Sequence, residues 1–176
     1  LFAFEEMWAE LADILESQIG ISQDADATRE YRLDLAEVRE LRLSEIDSAL
    51  EIYEEVIAGY SDNERVRHAL ERLLNDENVR GKAAELLEPI YLEREDPRGL
   101  VTVLGILQEL TDDVDARVSY LVRIVSAQDE ALNQPGDAFH TLVLALSVDP
   151  SREDLLLQLL ALAKRLEAWS ELAGHL

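Results

Sequence analysis

The chain has 176 residues, 48% of them hydrophobic, with 38 acidic residues against 16 basic ones and a formal net charge of −22. That apolar content excludes a disordered chain, and no apolar run is long enough to cross a bilayer. The acidic balance disfavours nucleic acid and anionic lipid as partners. The absence of cysteine excludes disulfides and thiolate metal sites.

Proline and glycine are scarce, and Ala, Leu, Glu and Arg, all good helix formers, dominate. An all-α chain is expected. The first residues, Leu1-Phe-Ala-Phe, lack an initiator Met and a basic leader, which predicts a cytoplasmic piece of a longer chain rather than a secretory signal. Lysine occurs only at Lys82 and Lys164, which reads as the Arg-biased codon usage of a GC-rich bacterial genome.

Apolar periodicity predicts about ten helices. Helix one spans about Glu5 to Ile19, with Trp8, Leu11, Ala12, Leu15 and Ile19 along one stripe. Asp24 or Asp26 is placed to cap helix two, about Ala27 to Leu43. Helix three, about Ile46 to Tyr60, turns Ala49, Leu50, Tyr53, Val56 and Ile57 inward. Helix four, about Glu64 to Leu74, is short. Helix five, about Val79 to Glu93, contains Pro89, which predicts a kink or break. Asp96-Pro97 starts helix six, about Arg98 to Leu110, and Asp113 starts helix seven, about Val114 to Leu132. Asn133-Gln-Pro-Gly-Asp137 is a turn. Helix eight covers about Ala138 to Val148. Ser151 is expected to cap helix nine, about Arg152 to Glu167, and helix ten starts at Ala168.

The chain repeats itself. Trp8-Ala-Glu-Leu-Ala-Asp-Ile-Leu15 returns as Trp169-Ser-Glu-Leu-Ala-Gly-His-Leu176. Trp8 aligns with Pro97, 89 positions on, which brings Leu11 and Leu15 onto Leu100 and Leu104, Asp24 onto Asp113, Tyr31 onto Tyr120 and Ala49 onto Ala138. From Pro97 to Trp169 the spacing is 72, and at that offset Leu87, Ile90 and Glu95 meet Leu159, Leu162 and Glu167. One unit, 8–96, is therefore 17 residues longer than the next, 97–168, and a further one starts at 169–176. Helix four is the candidate for the extra element. An odd helix count upsets antiparallel alternation, so either helix four lies across its neighbours or helices four and five form one bent element. An irregular bend is expected between Asp62 and Gly81.

Ala138, Leu142, Ala145 and Pro150 resemble the second-helix pattern of tetratricopeptide repeats, and Ala49, Tyr53, Val56 and Ser61 occupy the same places. Trp8, Leu11, Ala12 and Leu15, and Trp169, Leu172, Ala173 and Leu176, resemble the first-helix pattern. The resemblance implies a single right-handed superhelix of antiparallel helices, with an irregular, armadillo-like extra helix. Its repeat-packing residues would be Trp8, Leu11, Leu15, Ala49, Tyr53, Leu100, Leu104, Ala138, Leu142, Ala145, Pro150, Trp169 and Leu172. The loops vary in length and Pro97 stands where a Trp is expected. Such motifs specify a fold better than a ligand.

No catalytic constellation, cofactor loop or metal motif stands out. His68, His140 and His175 lie on separate helices without ligand spacing. Asp24-Ala-Asp26 and Asp112-Asp-Val-Asp115 lack the glycine and glutamate of a calcium loop and read as helix caps. One feature stands above background: Arg29, Arg32, Arg39 and Arg42 fall within about 140° of arc on helix two. Salt bridges to neighbouring glutamates are the favoured reading. A carboxylate clamp facing a partner is the alternative. The expected function is a non-catalytic scaffold that presents a helical surface to a protein or peptide. The runner-up is a structural spacer, or a segment that self-associates through its end helices. A groove filled by the chain's own side chains would favour the spacer.

Overall fold

The computed structural model describes residues 2–60 and 63–167. Among them are nine α-helices and no strand: α1 (Phe2–Ile21), α2 (Ala25–Val38), α3 (Ile46–Gly59), α4 (Glu64–Leu73), α5 (Arg80–Glu93), α6 (Pro97–Leu110), α7 (Val114–Ser126), α8 (Pro135–Val148) and α9 (Glu153–Leu166). The expected tenth helix, with Trp169 and Leu172, lies outside the described residues, as do Ser61 and Asp62. No helix among the described residues is long and apolar enough to cross a membrane.

Side-chain caps set several helix starts. Asp24 accepts hydrogen bonds from the Asp26 and Ala27 amides at 2.9 and 3.3 Å, and Asp113 accepts from Asp115 and Ala116 at 2.9 and 3.1 Å. Asn63 caps α4, and Asp96 caps α6 ahead of Pro97 in the first turn. Each cap satisfies donors that the first turn leaves unpaired. Ser151 does not cap α9. The Asp149 carboxylate takes both its amide at 3.0 Å and its hydroxyl at 2.7 Å, and the residue before α9 is Arg152. α5 runs on through Pro89 as one helical element.

Two helices end differently from expectation. α2 and α7 give way to single π-helical turns, Arg39–Leu43 and Ala127–Ala131. A π turn accommodates one extra residue and rotates the side chains beyond it around the helix axis. The first closes on Ser44 in the left-handed conformation, φ 58°.

The chain divides into two compact units, Leu1–Ile90 and Tyr91–Leu176. In the first unit, Ala12 and Leu15 of α1 meet Leu35 and Val38 of α2, with Trp8, Leu11, Ile19, Tyr31, Leu43 and Ile52 packed around them. α2 also packs on α3, and α4 lies against both α2 and α3. In the second unit α6, α7, α8 and α9 pack each on the next.

The two units correspond closely in sequence position. α2 and α7 start 89 residues apart, and so do α3 and α8. Their buried positions match: Leu35 with Ile124, Ala36 with Val125, Ala49 with Ala138, Leu50 with Phe139, Tyr53 with Leu142 and Val56 with Ala145. α5 and α9 have 14 residues each. Left-handed residues follow both of them, Glu95 at φ 52° and Glu167 at φ 56°, 72 positions apart. The ten-residue α4 stands between α3 and α5.

Candidate functional site

The arginine stripe is engaged internally. Arg29 pairs with Asp26 at 3.0 Å and stacks over the Tyr60 ring at 4.3 Å. Arg32 reaches Glu55 at 3.8 Å. Arg39 of the π turn binds Glu16 of α1 and approaches Glu45. Arg42 stacks over Trp8, 4.9 Å from the ring centroid. Arg29 and Arg32 border a cavity of about 300 Å³ between α2 and α3, together with Thr28, Glu55 and Tyr60.

The repeat-packing residues divide by depth. Leu15, Ala49, Tyr53, Leu104, Ala138, Leu142 and Ala145 are buried. Trp8, Leu11 and Leu100 are half-buried, and Pro150 is exposed in the turn between α8 and α9.

The densest polar cluster is formed by residues outside both sets. α2 carries Glu30, Asp34 and Glu37 along one face, at the i, i+4, i+7 spacing. Arg65 of α4 meets all three, at 3.0, 2.7 and 3.0 Å. Hydrogen bonding to Glu37, then to Asp34, raises the Arg65 pKa further above its already high value against the opposing effect of burial. One turn on, Glu40 of the first π turn points between α3 and α4. Its side chain is only 5% exposed. Tyr53 donates its hydroxyl to Glu40 at 2.7 Å, and Arg72 of α4 donates to both carboxylate oxygens at 3.1 Å. Burial first, and the bond to Glu40 second, push the Tyr53 phenol far above its ordinary range. A buried carboxylate is tolerable only with such partners. α4 therefore covers the wall made by α2, the π turn and α3.

In the second unit α9 faces the corresponding wall, packed on α8 and with Arg165 on Asp129, but the space between is not filled. A cavity of about 540 Å³ lies between α7 with its π turn and α9, over α8. Val122, Val125 and Leu142 form its apolar side, and Ser126, Asp129, Glu130, Gln158 and Arg165 its polar rim. Position by position, shorter side chains have replaced those that fill the first unit: Leu142 stands where Tyr53 does, and Asp129 where Glu40 does. Asp129 is 27% exposed, and its partner is Arg165 of α9, at the rim. Val122 is half-buried, whereas its counterpart Leu33 is fully buried.

The acidic face Glu30-Asp34-Glu37 is visible in the sequence as a helical spacing opposite the arginines. The π turns that aim Glu40 and Asp129 carry no such signal. Among the described residues no group of three or more His, Asp or Glu is placed to hold a metal. Comparison of the chain with protein-family models, with curated proteins and with solved structures finds no match.

Proposed function

We propose that the chain is a tetratricopeptide-like helical-repeat module that binds a protein or peptide partner by surface presentation, without chemistry of its own. The observation that carries this reading is the groove of the second unit: concave, part apolar and part polar, and left unfilled by the side chains of the described residues. Helical repeats offer such surfaces to peptides and partner helices. The first unit supports the other reading, a structural spacer. Its counterpart wall is covered by α4, and its arginine stripe is spent on internal pairs.

The two readings separate in one experiment. Peptides are selected from a displayed random library on the intact chain and then titrated against Ala161→Trp, which fills the groove from an exposed position on α9. A partner-binding module loses at least tenfold in affinity for the selected peptides. Peptides that bind the variant as well as the parent chain, or no selected peptide at all, leave the spacer reading standing.

A further inference from the structure

The buried carboxylate of the first unit serves two donors at once. Oε2 of Glu40 accepts from the Tyr53 hydroxyl at 2.7 Å and from Arg72 at 3.1 Å. In the second unit Asp129 has the arginine but not the phenol. Its Oδ1 takes Arg165, whereas its Oδ2 accepts no hydrogen bond among the described residues. Leu142 stands at the position of Tyr53, and beside it lies the cavity of about 540 Å³. We propose that this cavity takes a tyrosine side chain of the partner protein, its ring on Val125 and Leu142 and its hydroxyl donating to Asp129. The proposal rests on the partner-binding reading above and names the residue by which the partner is held.

Shape, donor and charge each argue for a phenol. The walls are apolar where a ring would lie, at Val122, Val125, Leu142 and Leu162, and polar groups are few and set at the rim, which is the make-up of a ligand pocket. Val122 is half-buried while its counterpart Leu33 is 1% exposed, and a ring in the cavity would cover that difference. The carboxylate chooses among rings. Tyrosine brings an apolar body with one donor at its tip, whereas phenylalanine would bury Asp129 against carbon and leave its oxygen without a donor. Arg165 does not stand in the way, because Glu40 holds Arg72 and Tyr53 together. Asp129 and Glu130 set two carboxylates against one guanidinium at the rim, so a neutral phenol is accepted and an anionic ring is repelled.

Two consequences can be read. Leu142→Tyr places a phenol in the cavity from the chain itself, as Tyr53 does in the first unit, and so competes with the partner's tyrosine. Phosphate on the partner's tyrosine adds negative charge and bulk beside Asp129 and Glu130, and so prevents insertion.

The probes are peptides selected on the intact chain from the displayed library, together with p-cresol, which is the tyrosine side chain without its backbone. Peptides are titrated into the full chain by fluorescence anisotropy, and p-cresol is followed by the amide chemical shifts of Val125 and Leu142. The expected result is that the selected peptides share a tyrosine, and that phenylalanine in its place weakens binding about tenfold or more. Phosphate on that tyrosine weakens binding by about as much or more. Both losses are read on the parent chain, so they stand whether or not a chain variant folds. Asp129→Ala and Leu142→Tyr in the chain, each checked for the parent's circular dichroism, also weaken binding, and in Asp129→Ala the phenylalanine peptide binds as well as the tyrosine peptide. Equal binding of tyrosine and phenylalanine peptides to the parent chain, or the same loss in the parent and in Asp129→Ala, overturns the proposal. p-Cresol that binds as tightly as the peptides puts a free phenol in the site in place of a partner's tyrosine, and overturns it too. Selected peptides that depend on Ala161 but carry no tyrosine leave the module reading standing while the tyrosine fails, and a library that yields no peptide ends both.

Discussion

Replacing Arg72 with methionine isolates the closure of the first unit. Methionine keeps the apolar stem that Arg72 lays along α4 and removes only the guanidinium. Glu40, 5% exposed at its side chain, is left with Tyr53 as its partner. A hydrogen bond to a charged group contributes about 1.5–3 kcal/mol. Arg72 is 48% exposed, so water screens the pair and replaces part of the lost bond. The expected cost is about 1–2 kcal/mol, or a fall of about 5–15 °C in the midpoint of a unit of this size. The assay is urea unfolding in a Trp169→Phe background, where Trp8 fluorescence reports the first unit alone. A neutral Glu40→Gln chain no longer needs a counter-charge, so Arg72→Met costs at most about 0.5 kcal/mol there. Equal costs in the two backgrounds would refute the claim that Arg72 acts by neutralising Glu40.

The Tyr53 phenol has its pKa raised by burial and by Glu40, so its stabilisation is complete below the unfolded value of about 10 and is lost as pH rises beyond it. The parent chain therefore loses about 1.4 kcal/mol more stability per pH unit above 10 than Tyr53→Phe does, measured by urea melts from pH 9 to 11.5. A Cβ on Gly99 would sit 2.5–2.7 Å from the buried Tyr91 ring, reaching even its Cγ. Gly99→Ala is expected to cost about 1–3 kcal/mol by overpacking, read as a lower midpoint by circular dichroism at 222 nm. Asp113→Ala removes the acceptor of two first-turn amides and is expected to cost about 1 kcal/mol, while Ser151→Ala, which caps nothing, costs less than half as much in the same assay. Leu142→Tyr is expected to cost under about 1 kcal/mol because it adjoins the open cavity, whereas Leu104→Tyr, at a fully buried residue of α6, costs about 3 kcal/mol or more.

Much of the helical order is legible in the sequence because it depends on local chemistry. Asp24, Asp96 and Asp113 mark helix starts through bonds to their own next residues, and the inward faces of α3 and α8 follow from apolar spacing alone. The arginine stripe is also legible, and the pairing favoured for it, with neighbouring acids, is what Arg29, Arg32 and Arg39 make. What escapes the sequence is tertiary. A π turn is stabilised by what its rotated residues reach, and Glu40 reaches Tyr53 and Arg72, 13 and 32 positions away. Ser151 shows the same limit at short range: cap residue type alone does not say that Asp149 captures its hydroxyl first.

The contrast between the units is an argument about where a counter-charge comes from. A carboxylate aimed into the wall beside α3 or α8 is unfavourable until a cation reaches it, and more so in a chain of net charge −22, where each added negative site raises self-repulsion. In the first unit α4 supplies that cation from within the chain, and the long side chains of Glu40, Tyr53 and Arg72 close the space. In the second unit the carboxylate is retained, its floor residue is shortened to leucine, and α9, packed on α8, presents Arg165 to it as α4 presents Arg72 to Glu40. Arg165 meets it only at the rim, 27% of Asp129 remaining exposed. α7 has lost the acids that hold Arg65, whereas the acid at the π turn is kept together with an arginine to neutralise it. In both units that arginine comes from a helix of the same unit, and the shorter Asp129 and Leu142 leave beside it the space that Glu40 and Tyr53 fill.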